Sequence, residues 1–319
     1  MFGPVRSRRL GISLGVNNIP YKFCSYSCVY CQLGRTVNKT IKRRTFYSPE
    51  NVINNVIEVA KRLGKIDYIS FVPDGEPTLD INLKSEIIGI KEALNVPIAV
   101  FTNASLLWID EVKEALYQAD LVSIKVDAVS DPIWKRINRP YSKLEIDHIL
   151  ASIEEFVKSY RGKIISETML VSGINTISES LKRISYYLKK LNVNIAYISV
   201  PIRPPAEKWV KPPSSFELIR AYEVFRESLG ENRVKLLNMP EGYVTQFAGG
   251  PEEYILRTTT VHPLRYEYVT RLLSEHGKDP NEVIDKLIEK GLIEIVNYLG
   301  NKFIIRRFPF KGDYTVKRD

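Results

Sequence analysis

Between residues 10 and 240, short runs rich in β-branched residues alternate with longer amphipathic stretches. No other feature of the chain narrows its fold as far. Strands are expected at 10–16, 67–72, 97–102, 121–126, 163–171 and 194–200, with helices at 49–63, 83–94, 109–119, 143–160 and 178–191. Six strands joined by crossover helices imply a parallel sheet curved into part of a βα barrel. In such folds the chemistry sits at the C-terminal ends of the strands, where loops carry what the packed elements do not.

The loop after the first strand reads FCSYSCVYCQLG, residues 23–34, and it holds all three cysteines of the 319-residue chain: Cys24, Cys28 and Cys31. An odd number of thiols at short spacing is not a disulfide framework. Buried cysteines that serve as small hydrophobes scatter through a core rather than gather in one polar loop. A structural zinc ion needs four ligands, and His148, His262 and His276 stand far from the loop and at no ligand spacing. The remaining reading is an iron–sulfur cluster held by three thiolates, with one iron left open for another group.

With Tyr30 before the last cysteine, the pattern Cys24-x3-Cys28-x2-Cys31 resembles the radical S-adenosylmethionine (radical SAM) superfamily. That resemblance implies a partial (βα)6 TIM-like barrel, a single [4Fe-4S] cluster and S-adenosylmethionine bound at the open iron. It also implies an external electron donor of the flavodoxin or ferredoxin type. Gly75-Glu76-Pro77, after the second strand, resembles the family's glycine–glutamate–proline motif, which holds the amino group of the cofactor; Asp74 stands where the family often has a second glycine. Thr102 and Asn103 resemble the start of a Thr-Asn-Gly motif, with Ala104 in place of the glycine, so a positive φ is not expected there. Asn175 falls where the family places a cofactor-contacting polar residue. In LVSIKVDA, Ser123, Lys125 and Asp127 alternate with apolar residues and share one strand face; turned inward, they suit ribose or carboxylate contacts. Arg203, in PIRPP, is open to two readings, an anionic substrate or a pair with Glu207. GPVRSRRLGISLGVN, CSYSCVYCQLGR, GEPTL and IRPP together look like an uncharacterised family related to the wyosine tRNA-biosynthesis radical SAM enzymes.

At 44% hydrophobic and 26% charged residues the composition is that of a globular protein. No apolar run nears the ~18 residues of a membrane span, so a cytoplasmic protein with reduced thiols is expected. Residues 1–245 are expected to form the core domain. Residues 252–319 are expected to form a small winged-helix-like domain, with Asp279 capping a second helix, Gly291 ending it and a hairpin turning at 299–301. That helix exposes Glu282, Asp285, Lys286, Glu289 and Lys290, a mixed face poorly suited to reading DNA.

The formal net charge is +9, and residues 1–50 carry nine Lys or Arg against Glu50 alone. Arg6, Arg8, Arg9, Arg35, Lys39, Lys42, Arg43 and Arg44 form a basic edge beside the cysteines. Such a surplus suits a polyanion, and RNA is the favoured substrate over a peptide or a small metabolite. Two classes of function remain open: a radical SAM enzyme, and a non-catalytic iron–sulfur sensor that binds nucleic acid.

Overall fold

The computed structural model describes residues 1–239, 242–244, 247 and 249–307. The chain opens with β1 (Phe2–Ser7), which pairs antiparallel with β2 (Gly11–Val16). The cysteine loop follows, with the two-residue strands β3 (Phe23–Cys24) and β4 (Asn38–Lys39) paired in parallel. Next come α1 (Pro49–Arg62), β5 (Tyr68–Phe71), α2 (Leu83–Ala93), β6 (Ile98–Thr102), α3 (Asp110–Leu116) and β7 (Leu121–Lys125). They lead to α4 (Asp131–Asn138), α5 (Ile146–Ser159), β8 (Lys163–Met169), α6 (Ser178–Leu191), β9 (Ile195–Ser199), α7 (Ser215–Leu229) and β10 (Val234–Leu237). The tail adds α8 (Pro251–Val261), β11 (Leu264–Arg265), α9 (Tyr266–Glu275), α10 (Pro280–Glu289), β12 (Ile293–Tyr298) and β13 (Asn301–Arg306).

The large sheet runs β1-β2-β5-β6-β7-β8-β9-β10, parallel throughout except for β1. It is a curled half-barrel, open between β1 and β10. The six expected strands are β2 and β5 to β9, and the five expected helices are α1, α2, α3, α5 and α6. Their inward faces follow helical spacing: Val52, Val56 and Ala60 on α1, and Leu181, Ile184, Leu188 and Leu191 on α6, are buried. Fully burying one such large aliphatic side chain is worth about 1.5–3 kcal/mol.

Sequence patterning missed β1, β10, α4, α7 and α8, and physical reasons account for most of these. Gly3 and Pro4 make β1 read as a loop. β10 has four residues and α4 eight, too short for a period to show. α7 turns Phe216 and Ile219 to the surface, which blurs its apolar stripe. α7 is nonetheless well begun, because Ser214 and Glu217 form a reciprocal capping box.

In the tail, Asp279 accepts from the backbone of Asn281 and Glu282, as expected, and Gly291 follows α10 at φ +65°. The β12–β13 hairpin turns on Leu299 and Gly300, both at positive φ. The end expected for the core domain, residue 245, and residues 308–319 lie outside the described residues. No helix among those described is long and apolar enough to cross a membrane.

Inside the half-barrel, Leu10, Ala99, Leu121, Ile165, Tyr197 and Leu237 form an apolar plug, drawn from the first half of most strands and from the end of β10. Polar side chains lie above the plug, toward the strand C-termini.

α2 carries a buried acid behind the sheet. Glu86 has no exposed surface, accepts from Asn18 Nδ2 at 3.2 Å and leaves Oε1 without a partner. Burial, then the nearby Asp80 carboxylate, push Glu86 up to about 8 from an ordinary 4.5. Between those values the folded state keeps a proton that the unfolded chain has released. Stability therefore falls as pH rises through this window, by up to about 1.4 kcal/mol per pH unit from this group. Glu86→Gln cannot ionise and is expected to flatten that fall. Urea unfolding at pH 6 and pH 9 checks it; an unchanged pH dependence in the variant would remove Glu86 from the account.

Candidate active site

The cysteine loop is held on two sides before any ligand is considered. Cys31 N donates to Cys28 O and Gly34 N to Cys31 O, two tight turns that gather the thiols. Ser27 N and Val29 N donate to Asn138 O and Ile137 O, pinning the loop to the end of α4. On the other side, Lys22 N donates to Asp74 O and Glu76 N to Phe23 O. Gly75 permits that approach: a Cβ there would sit 1.9 Å from Phe23 O.

Each sulfur faces a side-chain nitrogen donor, and Cys24 also receives the backbone N–H of Tyr26. Asn103 Nδ2 lies 3.6 Å from Cys24 Sγ, Asn138 Nδ2 lies 3.4 Å from Cys28 Sγ, and Lys22 Nζ lies 3.2 Å from Cys31 Sγ. Burial pushes the Cys24 thiol up to about 12 and the Cys28 thiol to about 11, with Glu76 and Asp127 respectively the next causes. Burial alone would lower the Lys22 ammonium, but Cys31 beside it raises it on balance.

Cys24, Cys28 and Cys31 line one cavity of about 350 Å³ at the strand C-termini. Of the residues expected to hold the cofactor, Tyr30, Gly75, Glu76, Thr102, Asn103, Ser123 and Lys125 line it too. Pro77 lies just behind, starting a buried 3-10 turn. Glu76 is 2% exposed, and its carboxylate ties the loops after β5 and β6 together. It accepts from Thr78 N at 3.2 Å, Thr78 Oγ1 at 2.7 Å, Thr102 Oγ1 at 2.6 Å and Asn103 N at 2.8 Å.

Asp127 and Asn175 do not reach the cavity wall. The strand ends at Lys125, so the face shared by Ser123 and Lys125 is not continued to Asp127. Its carboxylate instead accepts from Tyr30 OH, from Asn138 Nδ2 at 2.7 Å and from Met169 N at 2.8 Å. Asn175 donates to Asp127 O and Met169 O and accepts from Val171 N. Both residues brace the cavity from behind.

Two further expectations are corrected, for Ala104 and for the basic edge, and one of the two open readings of Arg203 falls. Ala104 does adopt a left-handed backbone, φ +62°. Its N–H is drawn to Thr102 Oγ1 at 3.0 Å, and Ser105 N to Asn103 Oδ1 at 2.9 Å, which offset the ~1–2 kcal/mol that a Cβ costs there. Arg203 does not pair with Glu207. Glu207 is taken by Arg35, at 2.7 and 3.0 Å, and by Arg139. Arg203 lines the cavity, 2.8 Å from His262 Nε2 and 3.1 Å from Gln32 Oε1.

The basic edge, lastly, is largely consumed within the fold. Arg8 donates to Leu237 O and Met239 O, Lys39 to Arg139 O and Pro140 O, and Arg43 to Thr78 O and Asp80 O. Arg44 lies over the Phe23 and Phe46 rings. Arg9 is inside the cavity, against Glu167 and over Phe101. Of the eight, only the side chains of Arg6 and Lys42 form no hydrogen bond, ion pair or ring contact among the described residues.

Sequence reasoning missed Glu167, Gln32, His262 and Lys22 at this site. Glu167 carries the clearest signal, a lone carboxylate inside a parallel strand. It accepts from Lys125 Nζ at 3.0 Å and Ser199 Oγ at 3.0 Å, and pairs with Arg9. Burial lowers Lys125. Val261 and His262, at the end of α8, complete one wall, and Gln32 Nε2 donates to Val261 O at 2.8 Å. His262 is remote in sequence, and no local pattern marked it.

The donor set suits a cluster rather than a single ion. No three His, Cys, Asp or Glu side chains among the described residues close around one metal ion. A cubane asks for the opposite, one thiolate on each of three irons. The three thiols line one cavity, as that arrangement requires.

Comparison with known proteins agrees. Residues 18–184 match the family model described as Radical SAM superfamily. The chain is 46% identical to a UPF0026 protein of Methanocaldococcus jannaschii, across 96% of this chain and 95% of that one. It is 25% identical to a probable dual-specificity RNA methyltransferase RlmN of Desulforamulus reducens, over 62% of this chain and 57% of that one. Its fold is similar to a radical SAM methyltransferase from Sphaerobacter thermophilus, at a TM-score of 0.54 and 15% identity, covering 71% and 66% of the two chains. It is also similar to TYW1 solved with a lysine–pyruvate adduct, at a TM-score of 0.50 and 17% identity, covering 67% and 73%.

Proposed function

The chain belongs to the radical SAM superfamily and to the UPF0026 family, and from that premise we propose that Cys24, Cys28 and Cys31 hold its [4Fe-4S] cluster and that its substrate is RNA. It is a radical SAM enzyme, and its cofactors are that cluster and S-adenosylmethionine. When bound, the cluster supplies the electron that splits S-adenosylmethionine into methionine and a hydrogen-abstracting 5′-deoxyadenosyl radical. The observation that carries the site assignment is the joint presence of three thiols and Glu76 on the wall of one cavity.

The residues around that cavity have distinct tasks in this reading. Gly75, Glu76, Thr102 and Asn103 form the wall that receives the amino group of the cofactor. Ser123 and Lys125 face its ribose and carboxylate. Tyr30 is oriented by Asp127, which Asn138 and Asn175 in turn hold. The apolar plug and the Val261–His262 wall keep water from the reacting centre. An external one-electron donor of flavodoxin or ferredoxin type completes the system. Residues 1–245 are read as the catalytic domain and 252–319 as a winged-helix-like module. The order helix, strand, two helices, two strands, with three strands in one antiparallel sheet, supports that reading of the module.

Two observations support RNA. The likeness to an RNA methyltransferase is one. The other is a set of exposed cations, Arg6, Lys42 and Arg136, whose side chains form no hydrogen bond or ion pair among the described residues and so remain available to phosphates. Replacing all three by Ala is expected to weaken binding of every RNA sequence alike. The plot of log Kd against log salt should flatten by about 2 units, at ~0.7–0.9 for each phosphate left unneutralised. Basal cleavage of S-adenosylmethionine should not change, since none of the three lines the cavity. Filter binding across a salt series checks this; RNA binding without salt dependence would redirect the search to small anions or peptides.

A further inference from the structure

We propose that Lys22 sets the reduction potential of the cluster, as a buried positive charge laid against Cys31. The inference rests on the cysteine assignment above. Lys22 is 3% exposed, its Nζ lies 3.2 Å from Cys31 Sγ, and it forms no ion pair with a carboxylate among the described residues. Burying an ammonium is costly unless another charge or a strong acceptor offsets it. Among the described residues its only side-chain hydrogen-bond partner is the Cys31 sulfur, while the buried Asp74 carboxylate and the other two thiols lie near enough to feel its charge.

The backbone has the same bias. Lys22 is neither Gly nor Asn, yet it sits at φ +58°, a conformation that costs about 1–2 kcal/mol. It is fixed there by Lys22 N donating to Asp74 O at 3.0 Å and by Asn38 N donating to Lys22 O at 3.0 Å. A strained residue persists where its surroundings over-determine it. The result in this chain is a lysine turned inward against the thiols.

The three sulfurs are therefore not equivalent. Cys24 and Cys28 face neutral amides from Asn103 and Asn138, whereas Cys31 faces a full charge. Charge and hydrogen bonds at the sulfurs govern cluster potentials. On reduction one electron enters from an external low-potential donor, the cluster passes from its 2+ to its 1+ state, and no bond forms or breaks. A cation in contact, in a low-dielectric interior, favours the more negative state. Lys22 thus makes the cluster easier to reduce.

The test is a redox titration, followed by electron paramagnetic resonance, of the anaerobically reconstituted full chain without S-adenosylmethionine. Lys22→Gln keeps a donor of similar reach but removes the charge. It is expected to make reduction about tenfold less favourable, a midpoint lower by about 59 mV for one electron. Lys22→Arg should stay near the wild type. A Lys22→Gln protein that fails to hold iron while Lys22→Arg holds it also supports a requirement for the charge. An unchanged midpoint in loaded Lys22→Gln overturns the proposal, as does equal loss of iron from both variants, which would mark Lys22 as a packing residue. Wild-type protein that takes up no iron would instead sink the cluster assignment itself.

Discussion

Replacing any one of Cys24, Cys28 and Cys31 by Ala is expected to abolish both iron retention and cleavage of S-adenosylmethionine. The wild type should hold about four irons per chain after anaerobic reconstitution, in keeping with a single cubane site. It should slowly release methionine and 5′-deoxyadenosine when reduced. The effect is all-or-none because the described residues include no substitute ligand at the site: Glu76 is committed to Thr78, Thr102 and Asn103, and His262 is engaged with Arg203. The apoprotein should remain folded, since the loop is pinned by its backbone to Asn138, Ile137, Asp74 and Glu76 rather than by metal. Iron analysis, visible absorbance and product chromatography check the result. A cysteine variant that kept its iron and its cleavage activity would overturn the assignment, and so would a wild type that binds only zinc.

The second large effect is expected from Glu76. Its buried carboxylate receives two backbone N–H groups and two hydroxyls, and removal leaves all four donors without their acceptor. A hydrogen bond to a charged group contributes about 1.5–3 kcal/mol, and a stranded buried donor costs about 1–3 kcal/mol. Glu76→Ala should therefore lose about 3 kcal/mol or more of stability on those magnitudes. Glu76→Gln, which keeps the shape but sets an amide against N–H donors, should lose less. In either variant that remains folded, the cluster spectrum should persist while the Kd for S-adenosylmethionine rises tenfold or more. Thermal melting separates the structural effect, and equilibrium dialysis the binding effect. Normal cofactor binding in a folded Glu76→Gln protein would reduce this carboxylate to a brace between two loops.

Much of this was legible in the chain because it is local. The period of the apolar residues placed β2, β5 to β9 and five of the helices, since burial of one face leaves its mark on neighbouring positions in sequence. The cysteine loop, Gly75-Glu76 and Thr102-Asn103 are short motifs that follow strands, so strand order alone brought them to one rim. The face shared by Ser123 and Lys125 could be read from alternation, but its end could not. Whether Asp127 continues the strand depends on hydrogen bonds from Tyr30, Asn138 and Met169, which come from three other places in the chain.

What only the tertiary structure decided is the fate of each charge and of each strained backbone. In sequence the basic edge is a single block of like charge. In the fold, Arg35 meets Glu207, Arg9 meets Glu167, and Arg43 caps the turn at Thr78 and Asp80. The partners lie 172, 158 and 35 residues away, and no periodicity encodes such pairings. Ala104 was expected to avoid a left-handed backbone because propensity counts only the residue itself; Thr102 and Asn103 offset its cost. Lys22 was an unremarked cation before a cysteine until the fold buried it against Cys31. Composition and period determine which residues go inside and which motifs share a rim. The pairing of buried polar groups is settled by long-range geometry, because desolvation makes each of them depend on a partner that the local sequence does not name.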